Sequence, residues 1–250
     1  MREIALATRV KNKEIIEFLH ANLTAKIDFC KNIVTTYADN NFVYLLIAFD
    51  ETKLEVCEAI LRETIIDYIE SQYKINYLKQ KIKNPLSDTL AFNAYIKVLA
   101  LFDKATDESA LNKILIFNDT FFVDSFLEFR LVPLKQHWDN LATLSSDNIT
   151  LFNSSTFLDV IKFLINTMDN LVYKIKVVVS GEDYSIYNMK NKNARVKKIC
   201  VCHNSLDLIT NVLNNCPSYI DVYLNENSDS EAVSFLSNVF CNRLKIYMKN

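Results

Sequence analysis

The sequence predicts a mixed α/β fold, and three observations predict it. Short β-rich runs stand near both ends of the chain. A long middle region repeats apolar residues at spacings of three or four. From 196 to 248, strand-like and helix-like segments alternate. The order expected is a strand–helix–strand–strand unit over 1–50, a mainly helical region over 51–168, and a unit over 169–250 built from a hairpin and a βαβαβ run. No Gly-, Ser- or Pro-rich linker divides these segments, so they are expected to pack together as one body.

Each element has its own signal. EIALAT at 3–8 reads as a strand, and Ile15, Phe18, Leu19 and Leu23 place a helix after it. KNIVTTYA and FVYLLIAF are β-rich and separated by Asp39-Asn40-Asn41, which predicts a hairpin. From Glu51 to about Asn84 a single helix is expected, with Leu54, Cys57, Leu61, Ile65 and Tyr68 on its buried stripe and Pro85 as its stop. Further helices are expected over 89–104, over 107–119, through FFVDSFLEFRLVPLKQHW at 121–138, and through FLDVIKFLINTM, capped by Thr156. LVYKIKVVVS and DYSIYNM flank Gly181 as a hairpin with a turn longer than two residues. VKKICVCH is a strand, apolar on both faces and so expected at the centre of a sheet. Asn204 or Ser205 caps SLDLITNVLNN. YIDVYL is a strand, Ser228 and Glu231 form a capping box for EAVSFLSNVF, and RLKIYM closes the chain. Parallel pairing with right-handed crossovers follows from that alternation.

Composition excludes several functions. The chain has 250 residues, half of them apolar and 23 % charged, which is globular and not disordered composition. Its net charge of −2 supplies no global attraction to nucleic acid or anionic membranes. The longest apolar run, at 42–49, is far too short to span a bilayer. The first residues lack the apolar core of a signal peptide. A cytoplasmic protein without membrane insertion is therefore expected, with its six Cys reduced. Gly181 is the single glycine. Walker A loops, dinucleotide fingerprints and the G-x-S-x-G elbow each need more than one, so none is present in its usual form.

Three groups of residues invite chemistry. Cys200, Cys202, His203, Cys216 and Cys241 suggest a metal or redox site, yet C-x-C on one strand is poor for tetrahedral chelation and free Cys are commonly buried. Lys190, Lys192, Arg195, Lys197 and Lys198 form a basic run that offers a contact surface. It has no interleaved aromatic residues to stack on bases, so no nucleic acid partner is expected from it. His20, His137 and His203 show no catalytic spacing, and no cofactor is implied. The 121–138 stretch sets Arg130 beside Phe122, Phe126, Leu127 and Phe129, which are expected to form one apolar helix face. Pro133 is expected to break or kink that helix near Leu131 or Val132.

VDSFLEFRLVPLKQHWDNL, with Phe126, Phe129 and Arg130, resembles the F-x-x-F-R-[L/M] helix of the YtxC-like family of sporulation proteins from endospore-forming Firmicutes. CPSYIDVYLNENSDSEAVSFLSNVFCNRLKIY is similar to the closing unit of that family, including its polar-Arg pair at Asn242-Arg243. The resemblance implies a cytoplasmic protein associated with sporulation and supplies no catalytic residue. Together these readings favour a non-enzymatic interaction or regulatory role with an unidentified protein partner. The alternatives are an enzyme or small-ligand-binding protein with a site between the helical region and the C-terminal unit, and metal or redox sensing through the C-terminal Cys group.

Overall fold

The computed structural model describes residues 2–27, 33–82, 89–146, 154–168, 172–181, 183–189, 196–225 and 231–249. The fold is mixed α and β, with a four-stranded and a five-stranded sheet among the described residues. The chain divides into two compact units, residues 1–81 with 103–144 and residues 82–102 with 145–250. The helices of the 51–168 region are thus distributed between the two.

In the first unit, β1 (Arg2–Arg9) leads through a 3-10 turn into α1 (Lys13–Ile27). β2 (Ile33–Ala38) and β3 (Phe42–Phe49) form the expected hairpin. Asp39 sets its turn: Oδ1 accepts the N–H groups of Asn41 and Phe42, each at 2.7 Å. Those bonds hold its carboxyl below the usual carboxylate range. Leu45, Ile47 and Phe49 alternate as the buried side of β3, and α1 packs on the sheet with Ile15, Ile16, Leu19 and Leu23.

The helix expected from Glu51 is a continuous helical run: a 3-10 turn capped by Asp50, then α2 (Leu54–Tyr68), a π turn (Ile69–Tyr73) and α3 (Lys74–Lys81). Positions 61, 65, 69, 74 and 78 form one fully buried line along it. The longer step from Ile69 to Lys74 is the π turn, and it rotates Lys74 onto the line of buried Leu and Ile. The stop expected at Pro85 lies outside the described residues.

Two helix boundaries differ from expectation. After α4 (Leu90–Phe102), which belongs to the second unit, α5 (Lys104–Ile114) ends well short of Asp119. An extended stretch leads to β4 (Thr120–Phe122), parallel to β1 with Phe121 opposite Leu6. The 121–138 stretch therefore begins as a strand, as its adjacent aromatic residues suit a sheet edge. It continues as α6 (Val123–Ser125), a second π turn (Phe126–Arg130) and α7 (Val132–Ser146). The break falls at Leu131, whose N–H reaches the Phe126 carbonyl at 3.3 Å. Pro133 sits in the first turn of α7, where a missing N–H costs nothing. The sheet order is β2-β3-β1-β4.

In the second unit α4 is buried on nearly every side and packs on α8 (Ser154–Thr167), with the rings of Phe92 and Phe157 edge to face. Because α8 starts at Ser154, Thr156 lies inside it and does not cap it. β5 (Val172–Ser180) and β6 (Asp183–Asn188) pair Ser180 with Asp183, so their turn has two residues, shorter than expected. Gly181, at φ 64°, supplies the left-handed conformation such a turn requires. β7 (Lys197–Cys202), α9 (Ser205–Asn215), β8 (Pro217–Asn225), α10 (Glu231–Phe240) and β9 (Leu244–Lys249) follow. Asn204 caps α9, its side chain accepting the Asp207 N–H at 2.8 Å. The Ser228 capping box lies outside the described residues.

The strand order is β7-β6-β5-β8-β9. β8 is parallel to both β5 and β9, whereas β7 pairs antiparallel with β6. This corrects the expectation of a central VKKICVCH strand. The hairpin leaves one side of β6 open, β7 takes it, and β5 and β6 then separate β7 from β8. As an edge strand, β7 buries Cys202 but leaves Ile199 and Val201 exposed.

Candidate functional site

The 121–138 stretch divides between core and surface. Val123, Phe126, Leu127, Leu131 and Trp138 are buried. Asp124 ties the stretch to the end of β1: it accepts from the Thr8 hydroxyl at 2.8 Å, from the Arg9 N–H at 2.5 Å and from the Asn12 side-chain amide. Glu128 pairs with Arg9 at 3.5 Å. The single apolar face expected of Phe122, Phe126, Leu127 and Phe129 is not formed. Phe126 is 4 % exposed and Phe129 69 %, because the π turn changes the phase between them and β4 ends before the helix starts.

Phe129 instead lines an open groove of about 350 Å³ together with Ile114, Ile116, Phe122, Phe126 and Arg130. Ile116 is 71 % exposed and Phe122 42 %. Arg130 is exposed and forms no ion pair among the described residues. One wall is fixed from behind. The Arg62 guanidinium donates to the carbonyls of Asn112, at 3.2 Å, and Leu115, and lies 5.5 Å from the centre of the Phe117 ring. The Phe117 and Phe121 rings are 5.3 Å apart. The groove runs beside β4, which is an edge strand. It thus joins an apolar floor with a guanidinium and a strand edge that have no ion-pair or strand partner among the described residues.

The second concentration of polar groups is buried. Lys74 is inaccessible to solvent, and its ammonium contacts Asp103, Asp107 at 2.6 Å and Glu70 at 4.0 Å. Trp138 donates its indole N–H to Asp107 at 2.8 Å, and half-exposed His137 meets Asp103 at 2.8 Å. Burial opposes the charge on Lys74, but Glu70, Asp103 and Asp107 outweigh it and hold its pKa above the ordinary lysine value. Glu70 goes the other way: burial pushes it up to about 8, against the pull of Lys74. Neither of its buried oxygens has a hydrogen-bond partner among the described residues, as suits a protonated acid.

Asp103, Asp107 and His137 offer ligand atoms within 4.8 Å of one another, and theirs is the one such group among the described residues. The Lys74 ammonium already bridges the two carboxylates, so the cluster carries its own cation. It is an internal ion-pair network. Its members are far apart in sequence, and only the five-residue step of the π turn hints that Lys74 points inward.

The C-terminal Cys residues do not converge. Cys200 and Cys202 lie with sulfurs 3.7 Å apart, and burial pushes the Cys202 thiol up to about 12, with Cys200 and Asp207 adding to the shift. Cys216 is buried at the end of α9, and Cys241 is exposed after α10. His203 pairs at 2.7 Å with Asp183, not with a thiol. Of the basic run, Lys190, Lys192 and Arg195 lie outside the described residues, while Lys197 and Lys198 are exposed at the start of β7. No helix among the described residues is long and apolar enough to cross a membrane. No protein-family model, curated protein or solved structure matches the chain.

Proposed function

We propose that this is a non-enzymatic interaction protein acting in sporulation, the role implied by its resemblance to the YtxC-like family, and that it holds an extended segment of a partner protein in the groove beside β4. The observation that carries the reading is the alignment of exposed Ile116, Phe122 and Phe129 with Arg130 along an edge strand. An edge strand offers backbone donors and acceptors to a partner strand, and adjacent apolar side chains select what it carries. An acidic side chain on that segment pairs with Arg130. A rigid floor reduces the ordering cost of binding.

The test is affinity purification of the tagged protein from cells sampled through sporulation, with wild type and Phe129→Asp in parallel. A stage-specific partner retained by wild type and lost by the variant, followed by binding of a synthetic acidic-apolar peptide from that partner, supports the reading. A partner held equally by both proteins, or expression unrelated to sporulation, overturns it.

A further inference from the structure

The five-stranded sheet has one covered face and one open face. On the covered face Ile175, Val177, Ile186, Ile220 and Val222 are fully buried. α9 touches β7, α10 touches β9, and the two helices touch each other, so both lie on that side. The residues between these buried positions point the other way.

The open face has a distinct chemistry. Pairing places Lys198 opposite Tyr187, Tyr187 opposite Lys176, Lys176 opposite Asp221, and Asp221 opposite Lys245. Cations therefore stand on alternate strands, roughly 10 Å apart across the sheet. Beside this row the rings of Tyr223 and Tyr247 stack at 4.9 Å, and the Lys176 ammonium lies 4.2 Å from the centre of the Tyr223 ring. A small cavity of about 190 Å³ continues the face and is lined by Tyr173, Lys174, Tyr219, Asp221, Arg243 and Lys245. Lys174 is paired with Asp221 at 2.5 Å. Lys176, Lys198 and Lys245 form no ion pair among the described residues. The whole chain has 28 basic and 30 acidic residues, so the patch is a local concentration and not a general property.

We propose that this face binds single-stranded nucleic acid, with phosphates on the Lys side chains and bases against the tyrosines. Cations spaced across a sheet and interleaved with ring faces match a chain that alternates phosphate with unpaired base. A duplex would use the cations and leave the rings idle. The aromatic partners that the basic run lacks along the sequence are supplied across strands, where Tyr187 of β6 meets Lys198 of β7.

The test titrates the full-length protein into a fluorescein-labelled oligouridylate of about 12 nucleotides, reading anisotropy between about 50 and 200 mM salt. Binding is expected, with log K falling against log salt at a slope of about −2 for three neutralised phosphates. Tyr247→Ala is expected to weaken it by about 10- to 100-fold, and Tyr247→Phe, which keeps the ring, to restore it. Lys176→Glu with Lys245→Glu should abolish it, with circular dichroism confirming the fold. Oligothymidylate measured in parallel shows whether the sugar matters. No binding at the lowest salt overturns the proposal. So does binding that Tyr247→Ala leaves unchanged and a duplex matches, which is plain polyanion attraction, or association with phosphatidylserine vesicles without any with the oligonucleotide.

Discussion

The Lys74 ammonium lies 2.6 Å from Asp107 Oδ2 with neither side chain reached by solvent, and the π turn of the α2–α3 run is what brings them together. Replacing this lysine exposes how the network is balanced. Lys74→Met fits the surrounding apolar positions but strands two carboxylates without a counter-charge. A loss of about 3–5 kcal/mol at neutral pH is expected from urea denaturation. A loss below about 0.5 kcal/mol would contradict this account of the cluster.

Glu70 makes the opposite contribution to the pH profile. Its folded pKa is raised to about 8 by burial, whereas an unfolded chain titrates it near the ordinary value of 4.5. Between those limits the folded state holds the proton more tightly than the unfolded state, so stability falls as pH rises from about 4.5 to about 8. Glu70→Gln keeps the shape without the titration. It should flatten that slope and raise stability at pH 8 by on the order of 3 kcal/mol relative to wild type. Denaturation midpoints for both proteins across this range provide the measurement.

Phe126 and Phe129 separate core from surface within one turn. Phe126→Ala is expected to cost about 3–5 kcal/mol. Phe129→Ala and Arg130→Ala should each stay within about 0.5 kcal/mol of wild type, because both side chains are exposed. If Phe129→Ala proved as costly as Phe126→Ala, the groove would be a packed interior and not a surface.

Much of the fold was legible because its signals are local. The Asp39 turn, the alternation of β3, the Asn204 cap and the strands and helices of the last fifty or so residues each depend on neighbours in the chain. What sequence alone missed depends on phase or pairing. A π turn adds one residue and changes which side faces inward, so Lys74 reads as a surface lysine and Phe129 as a core aromatic until the turn is seen. Strand order is equally hidden: VKKICVCH has the apolar content of a central strand, yet the β5–β6 hairpin leaves it the edge. The juxtaposition of Lys198 with Tyr187 exists only because of that order.

The scarcity of glycine has a consequence of its own. Two helix ends use left-handed backbone without it, at Cys216 with φ 33° and Cys241 with φ 44°. Cys216 closes α9, its N–H bonding the Leu213 carbonyl at 3.0 Å, and its buried side chain offsets the strain. Cys241 is exposed and has no burial to compensate. A left-handed non-glycine residue costs about 1–2 kcal/mol, while glycine adds entropy to the unfolded chain that offsets part of the relief. Cys241→Gly should therefore stabilise the protein by roughly 0.5–1 kcal/mol. Cys216→Gly should destabilise it, because there the same relief of strain is outweighed by loss of a buried side chain. Thermal melts of the two variants under reducing conditions test the contrast. Equal shifts would mean that burial does not distinguish these two helix ends.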